Sequence, residues 1–214
     1  MGYPNIASNP NAKKQFNFLI TTCRNEKEMG LIDTLELGLL NGWFLIALLY
    51  LVYGLLLWIF PKEVVSRFYD KSGRIRRQKV IIYTGGVFAS ALFILSIFTP
   101  LKIGSNIFIF GIVLYALGLI GFVVALINFK NSPHDKPATE RLYRISRNPQ
   151  QVTFFITFFG ICLAMESWLA LLIQIGSSLL LHTRILAEEK ACLELYGDSF
   201  REYMKNVPRY FLFF

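Results

Sequence analysis

Cysteine is scarce in this chain. Three occur in 214 residues, Cys23, Cys162 and Cys192, far apart and with no C-x-x-C pair. That excludes a disulfide framework and leaves no zinc-ligand spacing. Histidine is scarcer still: two residues, of which His134 is followed by Asp135 with no third ligand nearby, so no metal site is expected. No G-x-G-x-x-G follows a strand pattern, and a soluble nucleotide-binding fold has no support. The N-terminus shows no signal-peptide pattern, because Lys13 and Lys14 precede only a short apolar patch. Ile6 stands where a myristoylation motif wants Ser or Thr. Neither an internal repeat nor a low-complexity tract is present.

What the chain has in abundance is apolar surface. Hydrophobic residues make up 54% and the mean hydropathy is +0.47, too apolar for an ordinary soluble domain. The formal charge is +8, but the basic residues fall in short links between apolar runs. There they set membrane orientation rather than form a nucleic-acid surface. The 20 Phe and 10 Tyr supply lipid-facing bulk and interface belts.

Residues 1–33 form a polar arm with one short interfacial helix expected near Phe16–Thr22. Asp33-Thr-Leu-Glu36 has the form of a capping box that opens a first span ending at Phe60, where Pro61 stops it. The link from Lys62 to Lys79 carries seven basic residues against Glu63 and Asp70, and is expected in the cytoplasm. A second span covers 80–98 and a third 107–129, joined by a tight turn. The next link, 130–151, is again basic. Val152–Ala164 is apolar but about half a span long, Met165-Glu-Ser167 interrupts it, and the chain is apolar again from Trp168 to Leu186. A helical hairpin with Glu166 at its outer tip accounts for this. One very long helix with a buried Glu166 would be costly without a partner. Surface helices over 187–196 and 198–206 follow, broken by Gly197 and with Asp198 able to cap the second. The expected fold is all-α and multi-pass: about five transmembrane helices, the last two a hairpin, then cytoplasmic interfacial helices. The regions are an arm (1–33), a three-span part (34–129) and a C-terminal part (130–214).

Two stretches can carry chemistry, Pro133–Pro149 and Arg184-Ile-Leu-Ala-Glu-Glu189, both on the expected cytoplasmic side. Arg184 and Glu188 are four apart on one helix face and can pair. A carboxylate at the end of a lipid-facing span also needs a cationic partner, and a ligand's ammonium or sulfonium could serve. His182 sits one turn inside the span end, where hydrogen bonding to a neighbouring helix is the ordinary role. Gly111, Gly118 and Gly121 could admit a ligand, or could simply let helices pack closely.

These residues resemble a known family. Leu142-Tyr-Arg-Ile-Ser-Arg-Asn-Pro-Gln150, then Arg184-x-x-x-Glu-Glu189, then Leu195-Tyr-Gly-Asp-Ser-Phe-Arg-Glu-Tyr203 and Val207-Pro-Arg209 look like the integral-membrane methyltransferases. That group comprises the isoprenylcysteine carboxyl methyltransferases and the phospholipid methyltransferases. The resemblance implies an all-helical membrane enzyme using S-adenosylmethionine, with the site on the cytoplasmic side and a lipid or prenylated acceptor entering from the bilayer. Carried over by position, Tyr143, Arg147, Asn148 and Pro149 match the family's Y-x-x-x-R-[HN]-P element. Glu188 and Glu189 match its paired glutamates, which engage the cofactor's amino-acid end, and Arg184 matches the basic residue before them. Arg184 and Arg147 are the candidates to hold an anionic acceptor during transfer. Three positions depart: Asn148 replaces the usual His of the carboxyl methyltransferases, Gln151 a common Tyr, and Arg141 a usual Gly. They point away from prenylcysteine carboxyl methylation. Two other classes share parts of this pattern, an NADPH-dependent membrane reductase of the sterol-reductase kind and a non-catalytic lipid-binding membrane protein. The paired glutamates and short N-terminal part favour the methyltransferase.

Overall fold

Glycine sets the tightest contact in the molecule. The computed structural model describes residues 35–69, 76–133 and 137–211. These residues form seven α-helices and no strand: α1 (Gly42–Ile59), α2 (Lys62–Tyr69), α3 (Arg76–Phe98), α4 (Asn106–Lys130), α5 (Pro149–Ala164), α6 (Trp168–Tyr196) and α7 (Asp198–Asn206). A 3₁₀ turn over Arg141–Arg144 precedes α5. Helices α4 and α5 run antiparallel with their backbones touching. A Cβ on Gly118 would lie 2.5 Å from the Thr157 nitrogen, and one on Gly160 would lie 2.5 Å from the Tyr115 nitrogen. Gly111 meets the α5 backbone in the same way, and Gly121 meets the Thr153 side chain. These glycines are therefore packing residues, as expected where helices cannot rely on hydrophobic exclusion to associate.

Helix α6 packs mainly on α3, and α5 on α4. The two last long helices are consecutive but not each other's principal neighbour, which differs from a simple hairpin. Helix α1 lies against α3, α4 and α5 and runs parallel to α4. Tyr115 Oη donates to the Leu45 carbonyl at 2.9 Å near the start of α1, and Tyr53 meets Phe122 further along. By length and composition, α1, α4 and α6 can each cross a membrane, while α3 and α5 contain shorter apolar stretches, Tyr83–Phe98 and Pro149–Ala164.

Several local expectations are corrected. Among the described residues the first helix begins at Gly42, and residues 35–40 are not helical; Asp33 lies outside the described residues, as do the Phe16–Thr22 segment and His134–Lys136. Residues 35–40 instead pair with the end of α3, with Glu36 N donating to the Phe98 carbonyl and the Asn41 amide donating to the Glu36 and Ile97 carbonyls. Glu166 does lie at the turn between α5 and α6, yet it is buried, in a left-handed conformation (φ 50°), and accepts a hydrogen bond from the Ser105 hydroxyl. That partner, supplied by the N-cap of α4, offsets the desolvation. No break occurs near residue 187. Leu186 and Ala187 have no helix-breaking chemistry, and α6 continues for 29 residues. Asp198 is not a cap: Gly197 holds that position at φ 57°, ψ −128°, and Asp198 pairs with Arg201 at 2.6 Å.

The α4–α5 contact yields a test. Gly160→Ala forces a methyl into backbone and should destabilise the fold by about 1–3 kcal/mol. Gly54→Ala, with nothing within 4 Å of its added methyl, should be neutral or stabilise by up to about 1 kcal/mol. Thermal unfolding in detergent compares the two; equal midpoints would contradict the packing assignment.

Candidate functional site

The segment before α5 is short of helix-forming options. Arg141 adopts φ 56°, a left-handed geometry natural to glycine and costly for a side-chain-bearing residue. This is the position where the resemblance would place Gly. The 3₁₀ turn that follows buries Tyr143, and Pro149 starts α5 at a position where its missing N–H costs nothing.

The tail after α7 is laced to this segment. Tyr203 Oη donates to the Tyr143 carbonyl at 2.6 Å, and Arg147 N donates to the Pro208 carbonyl at 2.9 Å. Ser146 Oγ donates to the Arg209 carbonyl at 3.0 Å, and an Arg147 Nη1 donates to the Met204 carbonyl at 3.3 Å. Phe200, Tyr203 and Val207 form a small apolar core beneath these bonds. Burial pushes the Tyr203 phenol well above its ordinary range, against the lowering pull of Arg147.

Glu189 closes the cluster from α6. It is 6% exposed. Its Oε2 accepts from Arg209 Nε and Nη2 at 3.0 and 2.9 Å, and its Oε1 lies 3.3 Å from Arg147 Nε. The Asn148 amide reaches both Glu189 Oε1 and the Arg209 carbonyl at 3.4 Å. Arg147 has a lowered pKa, chiefly through burial; Glu189 opposes that and Arg209 reinforces it. One turn of chemistry away, Glu188 pairs with Arg184 at 2.7 Å on an open face where both side chains are 41% exposed. Adjacent helical residues point about 100° apart, and the two glutamates have separate environments for that reason.

Of the candidate residues, Tyr143, Arg147, Asn148, Pro149 and Glu189 are brought together. Arg184 and Glu188 pair with each other at the side, as their spacing predicted. Of the two glutamates Glu189 is the more heavily partnered, with two arginines against one for Glu188. The reason is Arg209, a residue twenty positions on that folds back, and only the Val-Pro-Arg sequence hinted at it. His182 makes a bond to the tail rather than to a helix, Nδ1 to Tyr210 Oη at 2.7 Å. Cys162 is fully buried in α5. Among the described residues no group of three His, Cys, Asp or Glu could hold a metal.

The phospholipid methyltransferase family model matches residues 86–199, more than half of the chain. The chain belongs to the phospholipid methyltransferase family. The matched stretch contains the 3₁₀ turn, the Arg147–Pro149 segment and Glu189, while Arg209 lies beyond it. No curated protein and no solved structure matches the chain. Membership, together with the apolar helices, makes this phospholipid methyltransferase relative an integral membrane protein of a methyltransferase class.

The two glutamates give opposite expectations. Glu189→Gln strands the buried Arg147 and the partly buried Arg209 and should cost about 3–5 kcal/mol, as breaking a buried ion pair does. Glu188→Gln removes an exposed i,i+4 pair and should cost no more than about 1 kcal/mol. Unfolding midpoints of the two variants measure this; a larger loss for Glu188→Gln would refute the assignment.

Proposed function

We propose that the protein transfers a methyl group from S-adenosylmethionine to a lipophilic acceptor held in the bilayer, with a phospholipid amine favoured over an isoprenylcysteine-like carboxylate. The observation that carries this is the buried Arg147–Glu189–Arg209 cluster beside Tyr143–Pro149, in a chain of this family. The residues fit the cofactor's amino-acid end, which bears both an ammonium and a carboxylate. The cluster offers both signs, and the buried Nε–H of Arg147 has no hydrogen-bond partner among the described residues. When bound, S-adenosylmethionine supplies a methyl group already activated on a cationic sulfur. The task left to the chain is alignment and exclusion of water. Arg147, Asn148 and Glu189 hold the polar end, Tyr143 and Pro149 wall it, and Arg184 with Glu188 stands at the rim.

A cavity of about 480 Å³ lies between α1, α3, α5 and α6, within the range of ligand sites. Phe154, Phe155 and Phe158 form one side; Gln174, Ser177 and Ser178 form another. It suits the apolar part of an acceptor. On α6 the stripe Gln174, Ser178, His182, Ile185, Glu189 leads from this cavity to the ion cluster, at the three- or four-residue spacing of one helix face. His182, bonded to Tyr210, stands between the two and would take the proton of an amine acceptor.

In this reading all five of α1, α3, α4, α5 and α6 cross the membrane, with the ion cluster on the cytoplasmic side because the basic links lie at that end. A cysteine at the exposed Arg201 should then react with an impermeant reagent from the cytoplasm, and one at Ile103 from the opposite face. Labelling of position 103 from the cytoplasm would overturn the topology.

Equilibrium binding to the purified chain decides the activity. S-adenosylhomocysteine should bind and NADPH should not; the reverse would assign a reductase, and binding of neither would refute catalysis. Filling the cavity with Ser177→Phe should lower acceptor turnover at least about tenfold while leaving S-adenosylhomocysteine affinity within about threefold, a difference of more than 0.7 kcal/mol between the two readouts. Equal losses in both would separate the cavity from the acceptor.

A further inference from the structure

The buried cluster is unbalanced. Arg147 and Arg209 bring two guanidiniums to one carboxylate, and no other acid among the described residues pairs with either. Their side chains are 5% and 22% exposed. A surplus positive charge withdrawn from water is unfavourable until an anion joins it. Arg147 Nε sits 3.3 Å from Glu189 Oε1, but its N–H is not aimed at that oxygen and has no hydrogen-bond partner among the described residues.

A second buried donor is orphaned in the same way. Asn128, near the end of α4, is 7% exposed, and its Nδ2 has no hydrogen-bond partner among the described residues. The register of α4 on α5 locates it. Gly118 meets Thr157 and Gly121 meets Thr153. Ala125 and Asn128 continue that stripe at helical spacing past the first residue of α5, towards the segment that carries Ser146 and Arg147. The end of α4 also packs on the 3₁₀ turn there. Native proteins seldom leave a buried donor unpaired, and each exception calls for a reason. Two such donors at one end of the bundle, with surplus positive charge, have a common reason: both await an acceptor that carries negative charge.

We propose that Asn128 and Arg147, backed by Arg209, form a seat for an oxyanion, a carboxylate or phosphate borne by a ligand of the methyl-transfer site. This rests on the reading above and deepens it. The cofactor's carboxylate and an acceptor lipid's phosphodiester share this chemistry. Glu189, with both oxygens engaged by arginine, is the counter-charge that holds the seat in place rather than the first ligand of an ammonium group.

The test uses the full chain and two matched probe pairs, with wild type, Asn128→Leu and Asn128→Asp. The first pair is S-adenosylhomocysteine and its decarboxylated analogue; the second is dihexanoyl-phosphatidylethanolamine and dihexanoylglycerol. If the cofactor's carboxylate fills the seat, wild type prefers S-adenosylhomocysteine over the analogue by at least about tenfold, the weight of one charged hydrogen bond. If the lipid phosphate fills it, that preference is absent and only the phosphate-bearing lipid raises the unfolding midpoint. In either case Asn128→Leu cuts the preference to within about threefold and raises the midpoint of the ligand-free protein, because an orphaned polar group is gone. Asn128→Asp supplies its own negative charge, so it also raises that midpoint and abolishes the preference. Wild type that binds S-adenosylhomocysteine but discriminates within neither pair overturns the seat, as do Asn128 variants that keep the wild-type preference. Wild type that does not bind S-adenosylhomocysteine refutes the methyltransferase reading instead, and the lipid pair still decides on the seat.

Discussion

The carboxylate of Glu189 is the point on which the end of the molecule that carries Tyr143–Pro149 and the C-terminal tail depends. It sits on α6, yet both of its partners come from elsewhere, Arg147 from the segment before α5 and Arg209 from the tail. Three separate stretches are therefore fixed to one another by charge in a place where water does not compete. Such an arrangement is a poor source of stability compared with an apolar core of the same volume. Its value lies in determining where each arginine points. The bonds between the Tyr143–Asn148 segment and the Tyr203–Arg209 tail bring two guanidiniums together, and the charge of Glu189 offsets their repulsion.

The opposite end is held by a different device. Ser105 and Ser167 cap α4 and α6 through their hydroxyls, and Glu166 joins the two caps by accepting from Ser105. Between these ends α4 and α5 are in backbone contact through glycine, so the middle of the bundle needs no polar bond across that pair. Away from the two ends, buried polar groups bond within their own helix, as Thr153 and Thr157 do, or tie α4 to α1, as Tyr115 does, and others line the Gln174–Ser178 side of the cavity.

Much of the fold was legible because lipid-compatible helices announce themselves by uninterrupted apolar length. The second and third spans agree with α3 and α4 to within a few residues, and Pro61 ends the first where proline must. The errors share one origin: local signals were credited with work that distant residues do. Asp33-x-x-Glu36 has the form of a capping box, but Glu36 is drawn into pairing with the end of α3, sixty-two residues on. The charged run from Arg184 to Glu189 suggested a helix boundary near 187, whereas the helix persists because nothing there breaks it and its charges find partners. Within the site, the Arg184–Glu188 pair could be read from spacing alone. The Arg209–Glu189 bond could not, since no periodicity links residues on either side of a glycine turn. Asn128 gave no signal at all: one amide near the end of an apolar helix looks like a boundary residue until its surroundings are known.

The continuity of α6 carries a mechanical consequence. At 29 residues it is a rod roughly 43 Å long, against a hydrocarbon core of about 30 Å. A rod of that length ordinarily adjusts to bilayer thickness by changing its tilt. Here Glu189 lies about 31 Å along the rod from the capped Trp168 end. A tilt of about 10° pivoting there would sweep it by roughly 5 Å, well beyond the reach of a hydrogen bond. The rod is therefore not free to lean: its lever arm is clamped by two arginines. An adjustment to bilayer thickness that leaves the cluster intact must therefore tilt α6 together with the segments that carry Arg147 and Arg209, as one body.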